Sequence, residues 1–377
     1  MTRKKSARNE TISRIKRVVV KIGSTVLTGR TGVNARRVSA IATELAWLMS
    51  KGVEVIVVTS GAVASGMGRL GLTEKPKAIE LKQATAAVGQ SALMRIYERS
   101  LAKHGIAVGQ MLLTSADLSD RRRFLNARNT LSKLIEYRVI PVINENDTVS
   151  VEELKFSDND NLAALVTNLS GADTLVVLSD VDGLYDSDPG NKDARIIHEV
   201  ARITPEIERM AGGSCSVVGT GGMCSKLVAA KKVAAMGAAC FIINGTRPAN
   251  IRALFEGEEV GTFIMPGEAR LTSKKHWIAF TMRAKGRVVV DEGAAKAILA
   301  RGKSLLPSGI KAVEGRFKAG DPVDVCDSSG KVIARGLIHY SSGEVGKIKG
   351  VKSADIESVL GYKYCDEVIH RDDLVVM

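Results

Sequence analysis

Six short apolar runs punctuate the first two thirds of the chain, each ending in polar or glycine residues: Arg17–Ser24, Val53–Gly61, Ile106–Thr114, Val139–Asn144, Thr174–Asp180 and Ala239–Asn244. They are continuous rather than alternating and rich in Val and Ile, which predicts strands buried on both faces. The segments between them have helical period. In the first, Val38, Ile41, Leu45, Leu48 and Met49 form a stripe that stops at Gly52. Strands alternating with amphipathic helices predict a three-layer α/β/α fold around a mostly parallel sheet. In open sheets of this kind ligands bind at the carboxyl ends of the strands, and every polar cluster discussed below stands at such an end.

Beyond about residue 270 the pattern changes. Turn-forming stretches at Asp291–Gly293, Pro307–Gly309, Lys318–Pro322 and Asp327–Gly330 separate short segments. Alternation in Val323–Cys326 and Lys331–Ile338 predicts a small β-rich barrel, with one helix over Ala294–Leu299. The resulting division is a basic N-terminal extension (1–14), an α/β domain (15–270), a linker (271–285) and a barrel (286–365).

Composition narrows the classes. At 377 residues with 45% apolar content but only 4% aromatic, the chain fits a Val/Ile/Leu/Ala-built α/β enzyme. No stretch approaches the ~20 apolar residues of a membrane span, and the polar, basic N-terminus is unlike a secretory signal, so a cytoplasmic protein without membrane association is expected. The five cysteines show no zinc-type spacing, and scattered reduced thiols are expected. The net charge of +13 invites a nucleic-acid reading. Residues 1–17, however, hold seven Lys/Arg against one Glu and so supply six of those units, a pattern expected of a solvated, flexible arm.

The densest polar feature is Ser157-Asp158-Asn159-Asp160-Asn161, which runs straight into the apolar segment Leu162–Leu169. A cap needs one or two such residues; five at one helix start suit a small polar ligand. Upstream, Pro141–Asp147 ends an apolar run in a second acidic and amide cluster. Lys21, beside Gly23, suits a phosphate clamp, although a lysine after a strand is more often a solvated charge. Thr59-Ser60-Gly61-Ala62 opens a helix whose free N–H groups suit a carboxylate or phosphate, or is simply capped. Thr220-Gly221-Gly222-Met223-Cys224-Ser225-Lys226 opens another helix and has the glycine density to wrap polyphosphate, but it is neither a Walker loop nor a dinucleotide fingerprint. Ser179-Asp180 begins an acidic loop whose spacing rejects a calcium-binding EF-hand.

In this order the motifs Lys-Ile-Gly-Ser, Val-Thr-Ser-Gly-Ala, Ile-Asn-Glu-Asn-Asp, Asp-Asn-Asp-Asn-Leu, Ser-Asp-Val-Asp-Gly-Leu-Tyr and Gly-Thr-Gly-Gly-Met-x-x-Lys resemble the amino-acid kinase family, in its glutamate-phosphorylating branch. The resemblance covers about residues 15–270, and the barrel resembles a PUA domain. It implies ATP-dependent phosphorylation of the L-glutamate side-chain carboxylate to L-glutamyl 5-phosphate, the first step toward proline. It assigns catalysis to Lys21, Lys226 and Asp180, with Asp180 orienting the lysines and Asp158 and Asp160 in support. It gives glutamate to Ser60, Gly61, Asp147 and Asn159, and ATP to Lys21, Ser179, Asp180 and residues Thr220 to Lys226. Ser179 and Cys224 depart from the family's usual threonine and hydroxyl residue.

The resemblance also implies Mg2+ carried on the phosphates without protein ligands, a homo-oligomer (dimer or tetramer) and proline as a feedback inhibitor. A complex with the reductase that consumes the acyl phosphate is a further implication. Relatives acting on N-acetylglutamate, aspartate, carbamate or UMP are the rivals within the family. An RNA-binding protein is the rival outside it, disfavoured because residues 271–377 carry 18 Lys/Arg against 13 Asp/Glu and few aromatics for stacking.

Overall fold

The computed structural model describes residues 6–29, 32–150, 159–212, 222–267 and 272–377. The chain divides into two units, Met1–Arg270 and Leu271–Met377. In the first, an eight-stranded sheet is built from β1 (Arg17–Ile22), β2 (Glu54–Thr59), β3 (Val108–Leu113), β4 (Ile140–Glu145), β5 (Thr174–Ser179), β6 (Glu199–Val200), β7 (Ala239–Asn244) and β8 (Thr262–Ile264). Its order is β3-β4-β2-β1-β5-β7-β8-β6, parallel except where β8 runs against β7. Every residue of β5 and β7 is buried, as continuous apolar strands under helices on both faces require. The Lys21 end of β1 is central, between β2 and β5.

The helices that position the site are α1 (Ala7–Ser13), α2 (Ala35–Ser50), α3 (Ala62–Leu70), α4 (Ile79–Ala102), α5 (Arg121–Glu136), α6 (Asn159–Ser170) and α7 (Gly222–Ala235). Asn34 starts α2 by accepting a hydrogen bond from the Arg37 N–H at 3.1 Å, and Val38, Ile41, Ala42, Leu45 and Leu48 form its buried stripe. The α3–α4 contact depends on two glycines. A Cβ on Gly66 would lie 1.8 Å from the Thr85 carbonyl oxygen, and one on Gly89 would lie 1.8 Å from that of Ala62. Only bare backbones can approach so closely.

From residue 6 onward the N-terminal extension is not the flexible arm its charge suggests. Ser6 caps α1, and Arg8 and Ile12 are buried. The Arg8 guanidinium lies 5.5 Å from the Phe241 ring centroid and donates to the carbonyls of Glu258 and Val260. An arginine placed against a ring and main-chain acceptors packs as a core residue despite its charge.

In the second unit a five-stranded sheet, β9 (Gly286–Val290), β10 (Ile310–Gly315), β11 (Pro322–Cys326), β12 (Val332–Leu337) and β13 (Leu374–Val376), has the order β10-β9-β11-β12-β13. A helix, Glu292–Arg301, is capped by Asp291, which accepts from the Ala294 N–H at 2.7 Å. Where a linker was expected, Ser273–His276 is helical and Trp277–Thr281 forms a π-helical turn with Trp277 and Ile278 buried. Among the described residues no helix is long and apolar enough to cross a membrane.

Candidate active site

Lys21 is the fifth residue of β1 and, on this inner strand, is only 5% exposed. A buried ammonium requires a partner, and Asp160, in the first turn of α6, supplies it at 2.5 Å. The other carboxylate oxygen of Asp160 lies 3.4 Å from Lys226 Nζ and accepts from Ser225 Oγ at 2.7 Å. Lys226 also donates to the Gly222 carbonyl at 3.0 Å, which folds its side chain back over the glycine-rich start of α7. Burial alone would raise the Asp160 pKa, but Lys21 and Lys226 outweigh it and hold the carboxyl below its ordinary range. One carboxylate between two ammonium groups leaves one positive charge uncompensated, suited to an incoming phosphate.

This arrangement corrects the expected role of Asp180. Asp180 is exposed at the end of β5 and accepts from Ser179 Oγ at 3.3 Å; the carboxylate between the lysines is that of Asp160. The reason is topological. The end of β1 faces the start of α6, whereas Asp180 opens the loop beyond β5. Ser179 and Asp180 instead line a cleft of about 680 Å³ with Val181, with Gly183 to Pro189, with Arg209 to Gly212, and with Gly222, Met223 and Lys226. Thr220 and Gly221 lie outside the described residues, as do Ser157 and Asp158. Cys224 is disulfide-bonded, correcting the expectation of reduced thiols throughout, since an odd count excludes full pairing but not one bridge. Cys240, Cys326 and Cys365 are free.

The residue before Asp160 faces the other half of the site. Asn159 Nδ2 donates to Ser60 Oγ at 2.7 Å, to the Thr59 carbonyl at 3.0 Å and to Asn144 Oδ1 at 3.3 Å. Because a main-chain carbonyl can only accept, the Asn159 nitrogen must point there. Its own Oδ1 is therefore turned away, and it is buried without a protein partner among the described residues. Ser60 accepts from Asn159 and keeps its hydroxyl proton to donate. Gly61, at φ 102°, begins α3 without a side-chain cap, so the first N–H groups of α3 are left for a ligand. Asp147, beyond β4, is half-buried and desolvation pushes its pKa up to about 6. It is poised for a cation.

The structure thus brings Lys21, Lys226, Ser60 and Asn159 together around the start of α6. Sequence reasoning gave Asp160 too small a role and missed Asn144 and Gln90, which holds the Asn144 amide at 2.9 Å. Asn144 carried a signal as the polar end of a buried strand. Gln90, in mid-helix, carried none.

A family model described as the amino acid kinase family matches residues 16–244, and one for the PUA domain matches residues 286–360. The glutamate 5-kinase of Syntrophotalea carbinolica is 52% identical over 370 residues, covering 98% of this chain and 99% of its own. That of Geobacter metallireducens is 54% identical over 372 residues, covering 98% and 100%. A solved UMP kinase from Bacillus anthracis overlays 68% of this chain and 98% of its own with a TM-score of 0.49 at 20% identity, too loose a likeness to carry an argument.

Proposed function

The chain belongs to the amino acid kinase family, in its glutamate 5-kinase branch, and we propose that the two sides of the α6 start divide its reaction between them. The reaction is ATP-dependent phosphorylation of the L-glutamate side-chain carboxylate to L-glutamyl 5-phosphate, the entrance to proline biosynthesis. The observation that carries the division is that Asn159 and Asp160 are consecutive, one holding an acceptor-lined pocket and the other the lysine pair.

Glutamate's side chain has a pKa near ~4.3 and is already a nucleophile at neutral pH, so no general base is required. The carboxylate oxygen forms a bond to the γ-phosphorus as the bond to the β-phosphate oxygen breaks, and no proton moves. Catalysis is positioning plus charge neutralisation. Lys21 and Lys226, held by Asp160, offset the charge of the transferring group, and Ser179, Asp180 and the start of α7 line the nucleotide cleft. Correct orientation of two bound reactants supplies about 7–11 kcal/mol.

Asp147 and Asn159 Oδ1 offer only acceptors, which match the three N–H donors of an α-ammonium; an N-acetylated amine has one. Ser60 and the uncapped start of α3 receive the α-carboxylate. Magnesium completes the charge balance. Asp160 is committed to the two lysines, and the reading has the ion ride on the nucleotide phosphates.

Proline also presents an ammonium beside a carboxylate, which supports competition at the Asp147–Ser60 pocket. Exposed Leu81 and Val88, seven residues apart along α4, support a homo-oligomer, dimer or tetramer. The lability of an acyl phosphate favours a cytoplasmic complex with the reductase that consumes it.

The test offers ATP, magnesium and hydroxylamine with glutamate, N-acetylglutamate, aspartate or UMP in turn. Hydroxamate from glutamate alone is expected. ADP release with another acceptor would overturn the acceptor assignment while leaving the lysine site in place.

A further inference from the structure

We infer that Gln90, on α4, is a positioning residue that fixes the acceptor pocket for a free amine, an inference that rests on the glutamate reading above. Three amide side chains, Gln90, Asn144 and Asn159, stand in line, and main-chain groups set the sense of two of them. The Thr59 carbonyl fixes Asn159 with its nitrogen inward. The Glu145 N–H, which can only donate, lies 2.9 Å from Asn144 and fixes that side chain with its oxygen toward Glu145. The same oxygen accepts from Asn159, so Asn144 Nδ2 must point the other way. There it meets Gln90 Oε1 at 2.9 Å. The opposite orientation of Gln90 would set two donors face to face.

The relay therefore has one direction. Gln90 accepts from Asn144, Asn144 accepts from Asn159, and the Asn159 carbonyl is left over to face a donor. Asn144 is 2% exposed, so its nitrogen has no water to replace Gln90. Gln90 Nε2 is itself buried without a partner among the described residues. An amide left with an unpaired donor is oriented by its oxygen, because a buried unmet N–H opposes the arrangement. Its location is equally constrained. Gly89, the preceding residue, brings α4 against the Ala62 carbonyl at the start of the carboxylate-binding helix. Gln90 thus couples α4 to both parts of the acceptor pocket without touching the acceptor.

Steady-state kinetics at saturating MgATP would compare Gln90→Met, which keeps length but loses the acceptor oxygen, with Gln90→Glu, which retains one. The acceptors are L-glutamate and 2-hydroxyglutarate, whose hydroxyl both donates and accepts and is indifferent to the sense of the Asn159 amide. Gln90→Met is expected to raise the glutamate KM about tenfold, the effect of orphaning one buried donor. Its kcat and ATP KM stay within about twofold, and 2-hydroxyglutarate is affected less than about threefold on the same scale. Gln90→Glu should recover most of the glutamate KM. The ratio of kcat/KM for the two acceptors does not depend on the fraction of folded enzyme, so partial misfolding cannot imitate the result.

Two outcomes overturn the role of Gln90: a ratio left unchanged in Gln90→Met, whether by no loss or by a parallel loss for both acceptors, or a Gln90→Glu variant no better than Gln90→Met. Failure of the unsubstituted enzyme to use glutamate would instead overturn the function on which this rests.

Discussion

Replacing Asp147 by asparagine should stabilise the ligand-free protein while depriving it of its amine site. Desolvation raises the Asp147 pKa from 3.8 to about 6, and among the described residues no neighbouring cation offsets it. Such a carboxyl holds its proton more tightly folded than unfolded. The penalty for ionising it is absent below pH ~4, grows as pH rises, and is complete above about 6. A rise of about two units is worth roughly 3 kcal/mol at pH 7, and Asp147→Asn removes it. At about 2–4 °C per kcal/mol for a unit of this size, the ligand-free thermal midpoint at pH 7 should rise by roughly 6–12 °C. At pH 4 the two proteins should melt alike. Saturating glutamate should close the gap at pH 7, because only the parent gains from the bound ammonium. Calorimetry at the two pH values, with and without glutamate, measures all three. An Asp147→Asn protein less stable than its parent at pH 7 would refute the picture of an uncompensated carboxylate awaiting a cation.

Other consequences concern the phosphoryl site and the packing that supports it. Lys226→Ala should lower kcat by on the order of 10²–10³-fold, as loss of one preorganised charge donor does, with glutamate KM nearly unchanged in the hydroxamate assay. Gly89→Ala forces a methyl against the Ala62 carbonyl and should cost at least about 1–3 kcal/mol by overpacking, read by thermal denaturation. Deleting residues 1–14 should lower the melting temperature, since it exposes the Ile12 site and removes Arg8 from the Glu258 and Val260 carbonyls. Loss of the Ile12 burial alone is worth about 1.5–3 kcal/mol. A truncated chain that melts like the parent would show the extension to be dispensable.

The inner strands of the sheet were legible because they are apolar on both faces and read as unbroken Val/Ile-rich runs, whereas β6 and β8, two and three residues long, are too short to announce themselves. The location of the candidate site was suggested for a related reason: polar clusters at the ends of such strands have few structural uses. The roles inside it were not. Consecutive residues on a helix point about 100° apart, and this rotation sends Asn159 toward Ser60 and Asp160 toward the lysines. A string of Asp and Asn does not record which carboxyl faces which way, so the orienting role was expected of Asp180. Arg8 was hidden differently. Its charge suggests solvent, and the carbonyls that receive it come from residues 250 and more positions away. Gln90 has no local signature, since its contact with Asn144 exists only once α4 meets β4.

The most direct measurement is the rate of hydroxamate formation by Asp160→Asn and Asp180→Asn, side by side at saturating glutamate and MgATP. With Asp160 between the two lysines, Asp160→Asn should lower kcat by on the order of 10²-fold or more. Asp180→Asn, changed at the exposed edge of the nucleotide cleft, should raise the ATP KM and leave kcat within a few-fold on that scale. The reverse ranking would contradict the assignment of Asp160 as the residue that holds the phosphoryl-binding lysines.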